Sequence, residues 1–206
     1  MRTRLEQKAA ALGKCRINWT PLVLATLVYA AICGVAGATT LAAGLVAIFA
    51  IAPLEVGLIN SFLAFDRDPS KTDIIESMFR KGFSQGYLHN VLGMFLMELF
   101  VCLWTLLLII PGIIKALAYS MTPFILVENP ELSAYDAIKL SEKMMTGHKW
   151  DLFILYLSFI GWFILACFTF GIGFLWLTPY VEMSVCEFYE DLKAEQVGKP
   201  LEGTIN

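Results

Sequence analysis

The sequence predicts an all-α protein that crosses a membrane six times, as three hairpins with short amphipathic helices between them. Three observations support this fold. Of the 206 residues, 58% are hydrophobic and 16% are charged, and the mean hydropathy is +0.68, whereas soluble domains carry about 25% charge. The apolar residues form three regions, each long enough for two helices of about 20 residues. Lysine and arginine lie almost entirely outside these regions.

The first apolar region runs from Trp19 to Phe65 and is interrupted by the small residues of Gly34–Thr40. Basic residues precede it, as in a signal peptide. Its apolar stretch is much longer than a signal peptide needs, so we expect it to remain as two membrane helices. Small residues such as Gly57 predict close packing between these helices.

The second apolar region runs from Gly86 to Val127 and contains two prolines. A break is predicted at Pro111-Gly112, because proline cannot continue a helix and glycine supplies turn geometry. Pro123 should lie within the second helix and kink it, because proline removes one backbone hydrogen bond. Ser120 and Thr122 are candidate donors to the freed carbonyl.

The third apolar region runs from Trp150 to about Tyr189 and is interrupted at Gly171–Gly173. The second helices of the second and third hairpins are short, about 15 residues each, so we expect them to tilt or to be completed by flanking residues. Residues 192–206 form a polar tail.

Amphipathic helices are predicted at Ser70–Gly82, at Asn129–Gly147 and, more weakly, at Leu5–Gly13. Each segment places its apolar residues on one face at helical spacing. Ser70 and Asn129 are the expected N-caps, and a glycine ends each segment. A helix with one apolar and one charged face suits a membrane surface, but a soluble helix packed on a partner has the same pattern.

These segments also suggest an internal repeat within one membrane domain of residues 1–206. The units are residues 1–65, 66–128 and 129–191, and each contains an amphipathic helix, an interfacial aromatic residue and a hairpin with a proline in its second arm. Chance similarity between apolar hairpins is the alternative explanation. The aromatic residues are Trp19, Tyr87 and Trp150, and the prolines are Pro53, Pro123 and Pro179.

The distribution of basic residues predicts the orientation. Five of the fifteen lysine and arginine residues precede the first predicted helix, four lie between the second and third, three between the fourth and fifth, and two in the tail. Such residues concentrate on cytoplasmic loops, so both termini should be cytoplasmic. The remaining one, Lys115, should lie just inside the outer end of its helix, with its ammonium group reaching the headgroups.

Few polar groups are available for chemistry within the membrane. Glu98 should lie near the midplane, where an ionisable residue is costly and by default a functional candidate. Glu182 and Glu55 are the other intramembrane carboxylates, and Tyr119, Thr122 and Tyr180 are candidate donors nearby. The functional hypothesis is a Glu98–Glu182 cluster that binds protons, cations or a polar headgroup. The structural alternative is a protonated carboxyl group that joins helices through a hydrogen bond.

Several functions are not supported by the sequence. The two histidines and five cysteines have no spacing typical of a metal site, and no catalytic motif or cofactor-binding motif is present. The basic residues form no continuous face of the kind that binds nucleic acid. We therefore expect no enzyme activity, no metal, no cofactor and no nucleic-acid partner.

The C-terminal half carries several specific motifs. They are IPGIIKALAYSMTPFIL, NPELSAYDAIKLSEKMM, GHKWDLFILYLSFIGW, GIGFLWLTPY and FYEDL. Over residues 106–191 the sequence resembles a family of uncharacterised bacterial membrane proteins, domain of unknown function 975, whereas residues 1–85 match it only in layout. The resemblance implies a protein of the bacterial cytoplasmic membrane. It implies no activity and no site residues.

Two functions of different classes follow from these observations. The leading hypothesis is a non-enzymatic protein that acts on membrane lipids, or on another membrane protein, through its cytoplasmic amphipathic helices. The alternative is a small transporter or channel that uses Glu98 and Glu182. A membrane enzyme ranks third, and the sequence does not predict the oligomeric state.

Overall fold

The computed structural model describes residues 2–37, 51–70, 73–84, 86–107, 109–169 and 171–197. Most of these residues lie in helices, and no strand occurs among them. The predicted all-α class is therefore confirmed for the described part of the chain. In chain order the helices are α1 (Arg4–Ile17), α2 (Trp19–Gly37), α3 (Ala52–Arg67), α4 (Ile74–Ser84), α5 (Tyr87–Leu107), α6 (Ile109–Tyr119), α7 (Thr122–Glu128), α8 (Ala134–Met144), α9 (Lys149–Leu157), α10 (Ile160–Phe168) and α11 (Phe174–Val197).

Within the described residues, three stretches are helical, long and apolar enough to cross a membrane. They are Tyr87–Thr105, Ile110–Glu128 and Lys149–Phe168. A fourth crossing is added if the bent pair of α1 and α2 counts as one span, although the two helices meet at 97°. The six predicted crossings therefore remain a prediction, and the predicted break at Gly34–Thr40 lies partly outside the described residues.

The first helix, α1, is longer than the predicted segment Leu5–Gly13. It begins with a capping box, in which Thr3 accepts from the backbone of Glu6 and the Glu6 side chain accepts from Thr3. It then continues through Gly13 to Ile17. One side of α1 is buried against α11, and Lys8 reaches the junction of α9 and α10, where its Nζ lies 3.2 Å from Ser158 Oγ.

Helices α3 and α4 form a tight hairpin. A side chain at Gly57 would overlap the carbonyl oxygen of Met78, and one at Gly82 would overlap the carbonyl of Pro53. Close approach of the backbones therefore requires glycine at both positions. Gly57 was expected to pack within the first apolar hairpin, and it packs on α4. The prediction that Gly82 ends the helix is wrong, because α4 continues to Ser84.

The turn between α5 and α6 lies earlier than predicted. Helix α5 ends at Leu107 and α6 begins at Ile109, so Pro111 belongs to the first turn of α6 and does not form the hairpin turn. Proline is tolerated there because the first N–H groups of a helix have no partner within the helix. Gly112 lies directly against Thr105 of α5, where a side chain would overlap it.

Pro123 also starts a helix, where we predicted a kink within one. Helix α6 ends at Tyr119, and α7 begins at Thr122 with Pro123 in its first turn. Ser120 donates to the carbonyl of Leu117, at 2.8 Å. The Thr122 hydroxyl is buried and has no partner among the described residues. The two helices still count as one span, Ile110–Glu128.

Helix α8 is amphipathic, as predicted, but its apolar face is partly covered by protein. Ser133, and not Asn129, is its N-cap and accepts from the Asp136 backbone at 3.1 Å. Ile138 joins a buried cluster with Ala118 and Tyr119 of α6. Ser141 donates to the carbonyl of Ala118 at 2.9 Å, so α8 lies beside α5 and α6.

The third hairpin turns where the sequence predicted. Gly171 has φ +87°, a left-handed conformation that favours glycine, and α11 begins at Phe174. Helix α11 contains Pro179 and runs for 24 residues to Val197. It therefore extends into residues 192–197 of the segment predicted as a polar tail. Helix α11 packs on α1 and α3. Residues 198–206 of that tail lie outside the described part.

The core lies where α3, α7 and α11 meet. Phe62, Phe65 and Phe124 are almost fully buried there. Phe124 stacks on Tyr189 with ring centroids 5.0 Å apart. The proposed repeat stays a prediction, since Pro53 and Pro123 begin helices whereas Pro179 lies within one.

Candidate functional site

Glu55 and Glu98 line one cavity between α3 and α5. Its volume is 390 Å³, and its other lining residues are mostly apolar. The Glu55 side chain is half-buried, whereas Glu98 is exposed at the surface of α5. Neither carboxylate forms an ion pair with another described residue in this cavity. The remaining lining residues are Ile51, Ala52, Met94, Phe95, Leu99 and Cys102.

Glu182 does not line this cavity. Its carboxylate interacts electrostatically with that of Glu55, and Glu55 interacts with Glu98. Tyr29 of α2 is close enough to interact with both Glu55 and Glu182. Glu55 is therefore the central carboxylate, whereas the sequence had suggested a cluster of Glu98 and Glu182.

The predicted donors do not surround this cavity. Tyr119 packs on Phe100, with ring centroids 6.4 Å apart. The Tyr180 hydroxyl donates to the backbone carbonyl of Lys8, at 3.4 Å. Thr122 lies in the core and does not line the cavity.

Lys115 has a protein partner where we predicted lipid headgroups. Its Nζ lies 2.6 Å from Glu142 Oε1 of α8 and within 5.5 Å of the ring centroids of Trp104 and Tyr119. Because α8 packs alongside α6, it brings an acidic side chain to this lysine. Lys115 therefore has a carboxylate partner within the protein, and its position at the outer headgroups stays a prediction.

The predicted interfacial aromatics have three different surroundings. Trp19 is half-buried beside Trp162 and Trp176 in an apolar cavity of 350 Å³. Tyr87 stacks on Phe83, with centroids 5.9 Å apart. Trp150 is 67% exposed.

Two groups of charged residues lie at the C-terminal end of α3, where Asp66 and Arg67 are adjacent. We call the first group the Glu128 cluster, made of Arg67, Glu128, Tyr189, Glu190 and Lys193. Glu128 accepts from the Tyr189 hydroxyl at 2.7 Å, from Lys193 Nζ at 2.7 and 2.8 Å, and from Arg67. Arg67 also donates to Glu190, through Nε at 2.9 Å and Nη2 at 2.6 Å.

The second group is the Asp66 cluster, made of Arg2, Lys14, Asp66, Glu187 and Asp191. Arg2 contacts Glu187 and Asp191, each at 2.6 Å. Lys14 Nζ lies 2.9 Å from Asp66 Oδ1 and 2.6 Å from Glu187 Oε1. These two carboxylate oxygens have no partner with hydrogen-bond geometry among the described residues, so the Lys14 contacts are ionic. Burial raises the pKa of Asp66 to about 6, and nearby Glu187 contributes.

Sequence reasoning assigned Arg67, Lys14 and Lys193 only to the orientation and did not predict either cluster. A usable signal was present, because acidic residues follow the apolar stretches at the same predicted cytoplasmic ends, as in Phe65-Asp66 and Val127-Glu128. The sequence could not show which basic residues pair with these acidic residues, because members of one cluster lie up to 189 positions apart in the chain.

The Glu128 cluster borders a cavity of 430 Å³ between α3, α7, α8 and α11. Polar side chains line one part of it and apolar side chains the rest. Its volume lies within the range of ligand pockets, roughly 300–1,000 Å³. The lining residues are Asn60, Leu63, Ala64, Arg67, Ile125, Val127, Glu128, Asn129, Leu140, Met144, Tyr189, Lys193 and Gln196.

Metal chemistry has no candidate site in the described part of the chain. No group of three or more histidine, cysteine, aspartate or glutamate side chains has an arrangement that could hold an ion. His148 interacts instead with Asp151 and Glu195, at 3.3 and 3.5 Å.

Comparison with known proteins identifies a family and gives no activity. Neither a curated protein nor a solved structure matches this chain. The model of one family, described as protein of unknown function (DUF975), matches residues 39–196. This match covers more than half of the chain and includes α3 to α11 with most of both charged clusters. The chain therefore belongs to the DUF975 family of proteins of unknown function.

Proposed function

We propose that this protein is a non-enzymatic, multi-pass protein of the bacterial cytoplasmic membrane that acts on membrane lipid from the cytoplasmic side. The observation that carries the proposal is the pair of charged clusters at the C-terminal end of α3, where Asp66 and Arg67 are adjacent. Residues from the N-terminal segment, α3, α7 and α11 join there in the Asp66 and Glu128 clusters. The sequence assigns all four segments to the cytoplasmic side.

Helix α4 supplies the surface for lipid. The apolar faces of α1 and α8 are only partly covered by protein: Ala11 and Ile138 are buried, whereas Leu5 and Tyr135 are exposed. Helix α4 leaves Phe79 and Phe83 exposed, by 39% and 42%. With Tyr87 of α5 they form a row of stacked rings, which we call the aromatic row, with centroids 6.5 and 5.9 Å apart.

The aromatic row favours lipid over a protein partner. It continues into the exposed apolar surface of the candidate span Tyr87–Thr105, where Leu88 is 71% and Leu92 is 48% exposed. Lipid covers such a surface in a membrane protein, and aromatic rings at its edge are typical of the headgroup level. The row is thus the cytoplasmic edge of a lipid-contacting face.

The test is the amount of lipid that remains bound to the purified protein, measured by mass spectrometry. We expect Phe79→Ser with Phe83→Ser to lower it about fivefold to thirtyfold, because two half-exposed rings lose roughly 1–2 kcal/mol of apolar contact. Leu5→Ser with Ile17→Ser is the matched control, because those exposed side chains belong to α1 and lie outside the three candidate spans. Equal lipid loss in both double variants, or in neither, would contradict a specific role for α4.

Transport of protons or cations is the second candidate function. The cavity shared by Glu55 and Glu98 favours it, since intramembrane carboxylates commonly mark ion pathways. The same preparations, placed in liposomes with pH-sensitive and cation-sensitive dyes, separate the two functions. Flux that disappears in Glu98→Gln would support transport. Absence of flux together with selective lipid retention would support the lipid role.

A further inference from the structure

Arg67, Lys193 and Glu128 all line the 430 Å³ cavity, and the two cations are the more exposed of the three. The side chains of Glu128 and Glu190 are only 12% and 28% exposed, whereas those of Arg67 and Lys193 are 47% and 43% exposed. Hydrogen bonds from both cations and from Tyr189 occupy the Glu128 carboxylate. The buried carboxylates therefore hold the two cations in place.

The cations retain donors for a ligand. Arg67 uses Nε and Nη2 in its ion pairs, and a guanidinium carries further N–H groups. Lys193 donates hydrogen bonds to both oxygens of the Glu128 carboxylate. Because an ammonium group has three donors, one remains for a ligand. A tetrahedral phosphate accepts hydrogen bonds from two such cations at once.

The rest of the cavity suits an amphiphile. Leu63, Ile125, Leu140 and Met144 are apolar and line the same cavity as the polar groups. The cavity also lies where α7 ends, directly after a candidate membrane span. A ligand with a charged group and an adjoining apolar part would match both kinds of lining residue.

The charge balance indicates which kind of phosphate fits. The cluster contains two cations and two carboxylates, so its formal charge is close to zero. A phosphodiester carries one negative charge, whereas free phosphate carries about 1.5–2 near neutral pH, as phosphate monoesters do. Placing the larger negative charge of free phosphate beside two carboxylates costs more electrostatic free energy than placing a phosphodiester there. The charge balance therefore favours the diester.

We infer that the cavity bordered by the Glu128 cluster binds the phosphodiester of a membrane phospholipid, through Arg67 and Lys193. This inference rests on the proposed action on lipid and names the group that is recognised. Glu128, Glu190 and Tyr189 act as positioning residues for the two cations. The aromatic row contacts lipid by apolar surface alone, so the cavity adds headgroup selectivity.

The test is binding to the purified full chain in detergent, measured by calorimetry with three probes. They are dioctanoyl phosphatidylglycerol, dioctanoylglycerol, which lacks the phosphate, and inorganic phosphate. We expect the phospholipid to bind at least tenfold more tightly than either other probe. Equal binding of dioctanoylglycerol would overturn the role of the phosphate, and equal binding of inorganic phosphate would make this a site for the free ion.

Variants assign the binding to this cavity. Lys193→Gln should weaken phospholipid binding about tenfold, and Leu140→Trp should block it by filling the apolar part without changing any charge. Lys143→Gln removes the same charge from the exposed face of α8 and should leave binding unchanged. Unaltered affinity in both Lys193→Gln and Leu140→Trp would overturn the inference, while lipid retention that depends on Phe79 and Phe83 would still support the proposed function.

Discussion

At the scale of single residues, two glycines decide how closely α3 and α4 pack. The backbone carbonyls of Met78 and Pro53 occupy the space that a side chain would need at Gly57 and Gly82. A carbonyl that belongs to a helix cannot move aside without disturbing that helix. Composition predicted close packing at Gly57, but the partner helix could not be predicted, because small residues do not specify which surface they meet.

We expect Gly57→Ala to destabilise the protein by about 1–3 kcal/mol, the usual cost of overpacking. Gly13→Ala is the matched control, because no atom lies within 4 Å of the added methyl group. In the middle of α1 it should stabilise by roughly 0.5–1 kcal/mol. Thermal unfolding of both variants in detergent measures the difference, and a midpoint unchanged by Gly57→Ala would contradict the close approach.

At the scale of elements, the Asp66 cluster joins α1, α3 and α11. It contains two cations and three carboxylates, so one bound proton makes it formally neutral. Asp66 follows the apolar stretch that ends at Phe65, and its pKa is raised to about 6 by burial and by Glu187. The folded protein therefore binds this proton more tightly than the unfolded chain, whose aspartates titrate near pH 3.9.

The sign of the pH dependence follows from this difference. Protonation of Asp66 favours the folded state, so its contribution to stability increases as the pH falls from 7 to about 5 and is lost as the pH rises through about 6. We expect the free energy of unfolding of the wild type, relative to Asp66→Asn, to increase by about 1 kcal/mol over this interval. Chemical unfolding of both proteins at the two pH values measures it, and a constant difference would contradict proton binding by Asp66.

Helix boundaries were predictable where local geometry decides them. Gly171 has a positive φ and lies in the turn of the third hairpin, where the sequence predicted a break. Tertiary contacts decided the other boundaries. Pro111 and Pro123 were expected to interrupt helices and instead begin them. A proline fits either place, and only the packing of α5, α6 and α8 selects one of them.

At the scale of the whole molecule, composition predicted the all-α class, whereas the charge pattern predicted an orientation and did not indicate which residues meet. The carboxylate site was predicted only in part. Glu55 gained its central place because α3 packs between α5 and α11. Sequence spacing along separate helices contains no information on that arrangement. The pairing of Lys115 with Glu142 was missed for the same reason.

The proposed orientation predicts a clear labelling pattern. In a cysteine-free background, single cysteines at Glu131 and Ile172 report the two sides, because Glu131 follows α7 and Ile172 lies in the turn before α11. Ile172→Cys should react with a membrane-impermeant thiol reagent in intact cells with a permeable outer layer. Glu131→Cys should react only after the membrane is opened, and the reverse pattern would contradict cytoplasmic termini.

The contact of Arg2 with Asp191 has a consequence for biosynthesis. Arg2 forms its ion pairs with carboxylates of α11, and Asp191 lies 189 positions later in the chain. At roughly 5–20 residues per second, synthesis of the intervening chain takes roughly 10–40 s. During that interval α1 lacks the helix that covers its buried side, and the Asp66 cluster lacks two of its three carboxylates. The Asp66 cluster thus forms late in assembly. A chain that stops before α11 leaves Arg2 without its two carboxylate partners, Glu187 and Asp191.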